Sequence, residues 1–251
     1  MRVKIAAGNW KMNTDAASGT ALAAGLVAAV GSLERPQVIL FPPFPYLPTH
    51  AATLAGSRIQ LGAQNCHCEK KGAFTGEVSP EMVRDVGCQW VLIGHSERRH
   101  LFGETDDFLK KKVGAAQAAG LRVIFCVGEK LEQRQAGQTQ AVVEFQLRNG
   151  ILDLPPEQWA NVVIAYEPVW AIGTGVNATP EQAEEVHGFI RDWLARQVSD
   201  ATAAATRILY GGSVTAANVA SLLAQPNVDG VLVGGASLKL DDFTTIVRAA
   251  A

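Results

Sequence analysis

The chain has 251 residues, a formal net charge of −2, 18% charged residues and 48% hydrophobic residues. This composition excludes an intrinsically disordered chain, and the near-neutral charge gives no indication of a nucleic-acid or acidic-membrane surface. The length suits one α/β barrel, so we expect a single domain over residues 1–251.

The N-terminus enters a strand-like run directly, without the apolar segment of a signal peptide. No segment reaches transmembrane length without charged residues. The four cysteines do not resemble the disulfide framework of a small secreted protein. Cys66-His67-Cys68 lacks the ligand spacing of a zinc site. We therefore predict a cytoplasmic protein with no metal, no cofactor and no contact with membranes or nucleic acid.

Short apolar runs rich in Val and Ile recur along the chain and predict eight β-strands. They are apolar on both faces, which is typical of parallel strands buried on both sides. In chain order, the predicted strands are Val3–Ala7, Gln37–Phe41, Ile59–Ala63, Trp90–Ile93, Arg122–Val127, Val162–Tyr166, Arg207–Tyr210 and Gly230–Val233.

Amphipathic segments between these strands predict helices. Thr179 followed by Pro180 is a good helix start, because Thr caps a helix and Pro suits its first turn. The alternation of strands and helices, without a linker or repeat, favours a closed (β/α)8 barrel; an open doubly wound sheet is the alternative. Clear helical segments are Gly19–Val30, Asp106–Ala119, Thr179–Gln197 and Thr215–Leu223.

Glu167 is a carboxylate at the end of an apolar strand. Pro168 follows it and prevents the strand from continuing in the same form. Trp170 and the segment Gly173-Thr174-Gly175 come next, and such a loop can move or wrap a phosphate. A lone Glu here could simply cap the strand end. Its neighbours favour an acid or base at the rim of the sheet.

His95 and Lys11 also lie at predicted strand ends, where a barrel of this type carries its chemistry. The residues after His95 could begin a helix, whose positive end disfavours an imidazolium. We therefore expect a neutral imidazole that can donate to a carbonyl oxygen. Lys11 would face the barrel mouth and could pair with a phosphate or an oxyanion. The ordinary alternatives are a His that satisfies a backbone group and a solvated Lys.

Two glycine pairs close the last two predicted strands, in Gly211-Gly212-Ser213 and Gly234-Gly235. Glycine lets backbone N–H groups approach an anion closely, and barrels often hold phosphate at these loops. Tight turns that need glycine are the alternative. A carboxylate, a neutral imidazole, a lysine and a phosphate site together suit proton abstraction next to the carbonyl of a small phosphorylated sugar.

Four longer motifs carry a resemblance that covers essentially the whole chain. The sequence resembles the triosephosphate isomerase family at Gly8–Asn13, Ile93–Arg99, Ala165–Gly175 and Tyr210–Ser213. The resemblance implies a TIM barrel and an isomerase of glycolysis and gluconeogenesis. That isomerase interconverts dihydroxyacetone phosphate and D-glyceraldehyde 3-phosphate through an enediolate.

The resemblance also implies residue roles. Glu167 would be the base, neutral His95 the electrophile, and Lys11 the cation that stabilises the enediolate and the phosphate. Asn9 would lie beside Lys11, and Glu97 would pair with it. Residues expected to support the site are Ser96 and Cys126, and residues expected to hold the phosphate through N–H groups are Gly173, Ser213, Gly234 and Gly235.

Two loops carry further implications of the resemblance. Residues Trp170–Ala178 would form a lid that excludes water, and Val176 departs from the Lys usual at its far hinge. The long loop around Thr75 would insert into a partner subunit near the partner's site, which implies a homodimer. A monomer with an ordered loop is the alternative.

Two other functions remain open at this level. Another phosphosugar barrel enzyme, such as an epimerase or a synthase, would keep the glycine pairs but would need different groups at the strand ends. A non-enzymatic binding protein could keep the fold. The presence of Lys11, His95 and Glu167 together argues against the binding protein, and activity on triose phosphates against pentose phosphates separates the two enzymes.

Overall fold

The barrel is closed. The computed structural model describes residues 2–172 and 177–251, and each of its eight strands pairs in parallel with the next until β8 returns to β1. The predicted (β/α)8 barrel is confirmed, and the open sheet is wrong. The strands are β1 Ile5–Asn9, β2 Gln37–Phe41, β3 Gln60–Ala63, β4 Trp90–Ile93, β5 Arg122–Val127, β6 Val162–Tyr166, β7 Ile208–Tyr210 and β8 Gly230–Val233.

Helices cover the outside of the barrel. None in the described ranges combines the length and apolar composition needed to cross a membrane. They are α1 Ala16–Val30, α2 Leu47–Leu54, α3 Pro80–Asp85, α4 Ser96–His100, α5 Asp106–Ala118, α6 Leu131–Gln135, α7 Thr139–Ile151, α8 Pro180–Gln197, α9 Asp200–Ala205, α10 Val219–Leu223 and α11 Leu240–Ala249.

Most predicted boundaries hold within two residues. Helix α1 is an exception: it begins at Ala16, three residues before the predicted Gly19, because Asp15 caps it there through a capping box. Thr179 caps α8 through a capping box, as predicted. The helix predicted from Thr215 begins only at Val219, because the side chains of Thr215 and Asn218 bond each other's backbone N–H in a turn. The first strand runs on to Asn9, which pairs with Phe41 of β2.

Two hydrophobic cores follow from the alternation of side chains along the strands. Ile5 and Ala7 of β1 point into the barrel, where they meet Trp90, Leu92 and their counterparts from the other strands. Ala6, between them, belongs to the larger core between barrel and helices. This packing fixes the strand ends, so residues that follow the strands are held at one rim.

His187 on α8 is buried and titratable. Its Nδ1 lies 3.1 Å from the carbonyl oxygen of Asn227 and therefore carries the proton. The ring meets Tyr166 edge-on, with centroids 6.0 Å apart. Burial lowers the pKa of His187 from 6.5 to about 4, against the smaller upward effect of the Asn227 hydrogen bond. The folded protein keeps this ring neutral where the unfolded chain binds a proton.

This difference predicts that acid destabilises the protein through His187. The pKa is lower in the folded state. The free energy of unfolding therefore keeps its full value above pH 6.5 and decreases by about 3 kcal/mol in total as the pH falls toward 4. Urea unfolding from about pH 7 to about pH 4.5 measures it. His187→Gln, which does not titrate, should show a flatter dependence. Identical pH profiles for the two proteins would contradict the prediction.

Candidate functional site

The carboxyl ends of the strands meet at a cavity of about 690 Å³. Most of the residues predicted for the site line this cavity, while Ser96, Glu97 and Cys126 lie behind it and contact those that do. Gly173 and Val176 lie outside the described residues, as does the centre of the predicted lid. The predicted residues that line the cavity are Asn9, Lys11, His95, Glu167, Ser213, Gly234 and Gly235.

Glu167 is the cavity's buried carboxylate, with a side chain only 2% exposed. Its Oε2 accepts a hydrogen bond from the backbone N–H of Ser96 at 2.9 Å, and its Oε1 lies 3.1 Å from Nε2 of His95. These two donors compensate for the water that a buried carboxylate loses. The carboxylate therefore sits at the rim with both oxygens held by residues that follow β4.

The backbone around Glu167 is packed against glycine on both sides. Its N–H donates to the carbonyl of Val127 at 2.7 Å, which extends the pairing of β5 and β6. A Cβ on Gly128 would lie 1.8 Å from the Glu167 carbonyl oxygen, and one on Gly211 would lie 2.9 Å from its Cγ. Only glycine permits this approach, so both glycines determine where the carboxylate stands.

His95 has the geometry of a neutral imidazole. It caps α4, and its Nδ1 accepts the backbone N–H of Glu97 at 3.2 Å. A nitrogen that accepts carries no proton, so the ring proton is on Nε2 and points to Glu167. Oε2 of Glu97 is 3.7 Å from Nδ1, too far for a hydrogen bond. The arrangement presents one N–H donor to the cavity without a positive charge.

Lys11 occupies a strained backbone conformation. Its φ of 53° lies in the left-handed region, which side chains other than glycine rarely adopt. The Lys11 N–H donates to Oδ1 of Asn9 at 3.0 Å, which helps to hold the turn. The ammonium contacts Oε1 of Glu97 at 2.6 Å, as predicted from the resemblance. The cation thus reaches the cavity from a fixed turn after β1.

Gln64 is a positioning residue to which the sequence assigned no role. Its side-chain amide donates to the carbonyl oxygens of Lys11 at 2.8 Å and of Phe41 at 2.9 Å. Both N–H bonds of the amide are therefore used, one of them on the strained turn. The only sequence feature that could have indicated this role is its position directly after β3.

Arg99 and Cys126 support the same wall of the cavity. The Arg99 guanidinium donates to the carbonyl oxygens of Gly94 at 2.7 Å and Cys126 at 3.0 Å and pairs with Asp106 at 2.6 Å. Burial raises the pKa of the Cys126 thiol well above its usual value, and the neighbouring Glu167 carboxylate raises it further. Cys126 therefore stays protonated and can donate to Glu167 rather than act as a nucleophile.

Of the glycines after β7 and β8, Gly234 lies beside Lys11. A Cβ on Gly234 would stand 3.6 Å from Cε of that lysine, and Gly235 begins a short 3-10 helix whose first N–H groups have no partner within the helix. The N–H of Ser213 donates to the carbonyl of Ala171 at 3.1 Å. Backbone donors and an ammonium are the groups that bind a phosphate.

Glu129 anchors the start of the predicted lid and was not assigned a role from the sequence. It is fully buried, and its Oε1 accepts from Trp170 Nε1 at 2.9 Å and from the Tyr166 hydroxyl at 3.1 Å. Arg134 lies 3.5 Å from the same oxygen and stacks over the Trp170 ring. Trp170 is thus tied to the barrel rim at the point where the loop leaves it.

No cluster of His, Cys, Asp or Glu suited to a metal ion occurs in the described residues. Cys66 is one of the buried free thiols, and burial raises its pKa to about 12. Burial therefore keeps this thiol protonated at neutral pH.

The sequence is similar to those of known proteins over the whole length of the barrel. A family model described as triosephosphate isomerase matches residues 4–250. The triosephosphate isomerase of Rhodopirellula baltica is 54% identical over 246 residues, which are 98% of this chain and 97% of the relative. That of Chloroflexus aurantiacus is 52% identical over 248 residues, or 99% of both chains. That of Carboxydothermus hydrogenoformans is 50% identical over the same share.

The approach of Gly128 to Glu167 predicts a severe effect of one methyl group. Gly128→Ala places a Cβ against a backbone oxygen that cannot move away cheaply, so we expect a loss of about 3 kcal/mol or more of unfolding free energy. Gly114→Ala is the matched control: the position is exposed in α5 with nothing within 4 Å, so it should gain about 0.5–1 kcal/mol. Urea unfolding compares them, and equal stabilities would refute the packing argument.

Proposed function

We propose how the site works from the premise that this chain belongs to the triosephosphate isomerase family. The protein is an isomerase that interconverts dihydroxyacetone phosphate and D-glyceraldehyde 3-phosphate. The reaction belongs to glycolysis. The observation that carries our assignment of residues is the buried Glu167 carboxylate in contact with the Nε2–H of His95 at the mouth of the barrel.

Glu167 is the base that moves a proton between the two carbons. A carboxylate suits this role when it is held close to the carbon acid and shielded from water. In the structure its Oε2 is bonded to the N–H of Ser96, so the side chain has to leave that donor to reach a substrate. Binding of the substrate supplies the new contacts that replace it.

His95 is the electrophile. Its Nε2–H donates to the carbonyl oxygen of the substrate, and the neutral ring then moves protons between the two oxygens of the enediolate. The bond from Glu97 N–H to Nδ1 supports this assignment because it keeps the proton on Nε2. A neutral donor also matches the acidity of an enediol better than an imidazolium would.

Lys11 stabilises the negative charge that develops on the enediolate and the charge of the phosphate. Asn9 and Gln64 hold its strained backbone, and Glu97 holds its ammonium while the site is empty of substrate. The contact to Glu97 is part exposed, so water screens it and the ammonium is free to turn toward an anion.

The phosphate is held by backbone N–H groups of the loops after β7 and β8, which line the same cavity as His95. Those of Ser213, Gly234 and Gly235 are supported by their place in the cavity that Lys11 also lines, and membership of the family assigns Gly173, which lies outside the described residues, to the same group. Because Ser213 N–H donates to Ala171, phosphate binding exchanges that bond for one to the ligand. Loss of the Ala171 contact frees the segment Trp170–Ala178 to close and exclude water.

The whole chain is one domain. It forms a homodimer through the loop around Thr75. Residues of this loop, from Lys71 to Glu77, are exposed, and further large apolar side chains are exposed on loops and helices that follow β1, β3 and β4. Apolar surface of this kind marks an interface. The exposed apolar side chains that follow these three strands are Met12, Phe74, Met82, Leu101 and Phe102.

The protein acts in the cytoplasm. All four cysteines are free thiols, and burial raises the pKa of both Cys66 and Cys88 to about 12. Unpaired thiols persist in a reducing compartment, which favours this location.

Replacement of Glu167 by Gln tests the base. The amide keeps the shape but cannot accept a proton, so steady-state turnover of glyceraldehyde 3-phosphate should fall by at least about three decades, or about 4 kcal/mol in the barrier. Glu144→Gln, which removes an exposed carboxylate paired with Arg148, is the control and should retain full activity. Equal activity of the two variants would show that another group abstracts the proton.

Sedimentation tests the dimer. The native chain should sediment as a dimer at micromolar concentration, and Thr75→Arg should shift it toward monomer and lower its activity, because a charge is placed in the interface. Thr245→Arg, exposed on α11, is the matched control and should sediment like the native chain. A native monomer would remove the dimer proposal without touching the assignment of Glu167.

A further inference from the structure

The turn that carries Lys11 is strained at two points. In the described residues, Lys11 with φ of 53° and Thr14 with φ of 73° are the non-glycine residues in the left-handed region, and they lie in one turn after β1. We call residues 10–14 the Lys11 turn. Conformations of this kind are unfavourable and persist only where surrounding contacts impose them. Asn9 and Gln64 hold Lys11, which leaves the question of what holds Thr14.

His50 on α2 lies beneath this turn. It is fully buried, and its ring packs edge-on against Trp10 with centroids 5.2 Å apart. Its Nδ1 lies 2.6 Å from the carbonyl oxygen of Tyr46. A carbonyl only accepts, so Nδ1 carries the ring proton and Nε2 of the neutral ring is an acceptor. The tautomer of His50 is therefore opposite to that of His95.

The free acceptor of His50 and a free donor of Thr14 face the same spot. His50 Nε2 and Thr14 Oγ1 are buried, and neither has a hydrogen-bond partner in the described residues. Each lies 3.2 Å from the point that a Cβ on Gly19 would occupy, so they are within twice that distance of one another. A buried polar atom left unpaired costs about 1–3 kcal/mol. An acceptor and a hydroxyl donor that meet here can each satisfy the other.

We propose that the Thr14 hydroxyl donates a hydrogen bond to Nε2 of His50, and that this latch positions Lys11. Rotation of the Thr14 hydroxyl and a small movement of the turn close the bond. The latch ties the far end of the Lys11 turn to α2, while Gln64 ties its near end. Gly19 is part of the latch, because its lack of a side chain leaves the space in which the two groups meet.

The inference rests on the proposed role of Lys11 in stabilising the enediolate and phosphate. Thr14 and His50 are positioning residues that do not line the cavity. Their effect on catalysis comes through the backbone of the Lys11 turn, because a displacement of about 1 Å in a catalytic group is enough to lower the rate. Loosening the latch should therefore lower activity while the barrel stays folded.

Thr14→Val and Thr14→Ser form a matched pair for kinetics. Valine keeps the β-branched shape but has no hydroxyl, so kcat/KM should fall about tenfold and competitive inhibition by inorganic phosphate should weaken about threefold. Serine keeps the donor and should stay within about twofold of the native enzyme. Similar midpoints of thermal unfolding for the two variants would separate positioning from stability. Equal kinetics for valine and serine would overturn the latch.

Nitrogen NMR of His50 tests the bond without reference to activity. The native and Thr14→Ser proteins should show a neutral Nδ1–H ring whose Nε2 resonance reports an accepted hydrogen bond, and Thr14→Val should move that resonance toward a free acceptor. An unmoved Nε2 resonance would refute the latch whatever the kinetics show. Lys11→Met separates the two proposals: full activity in that variant would overturn the role of Lys11, while the resonance would still decide the bond between Thr14 and His50.

Discussion

The burial of one carboxylate is the constraint on which the rest of the site depends. Glu167 stands at the end of an apolar strand with its side chain 2% exposed, and an ionised group placed there is unfavourable unless donors replace the lost water. Ser96 N–H and His95 Nε2–H are those donors. The carboxylate is thus held by the loop after β4, and the tautomer of His95 that the proposed mechanism requires is also the one that stabilises the carboxylate.

The sequence was most informative where a few consecutive residues are typical of a functional site. The apolar strand that ends in Glu167-Pro168 and the polar residues after β4 could be recognised directly, and the barrel followed from strand and helix alternation. Gln64 and Glu129 could not be assigned, because their roles are contacts with carbonyls and side chains of other loops. Such contacts join residues that are far apart in the chain, so no periodicity or motif in the sequence indicates them. Only the closed barrel brings the loops together.

Strain and support are divided between different parts of the chain. The unfavourable backbone of Lys11 lies after β1, whereas the amide that holds its carbonyl follows β3 and the carboxylate that holds its ammonium follows β4. A closed barrel brings these three loops to one rim, where their side chains meet. The strain is therefore maintained by the whole ring of strands, and a sequence read one segment at a time gives no sign that Lys11 is held in this way.

Three donors at the rim are paired with acceptors of the protein itself. Ser96 N–H is bonded to Glu167, Ser213 N–H to Ala171, and Trp170 to Glu129. A ligand therefore exchanges bonds instead of adding them, and each exchange contributes little net free energy. In the proposed mechanism, the exchange at Ser213 would free the start of the lid, and the exchange at Ser96 would free the Glu167 carboxylate. The mechanism proposed above would in this way use the binding energy of the phosphate to move Glu167 and the start of the lid, so that both act only when substrate is bound.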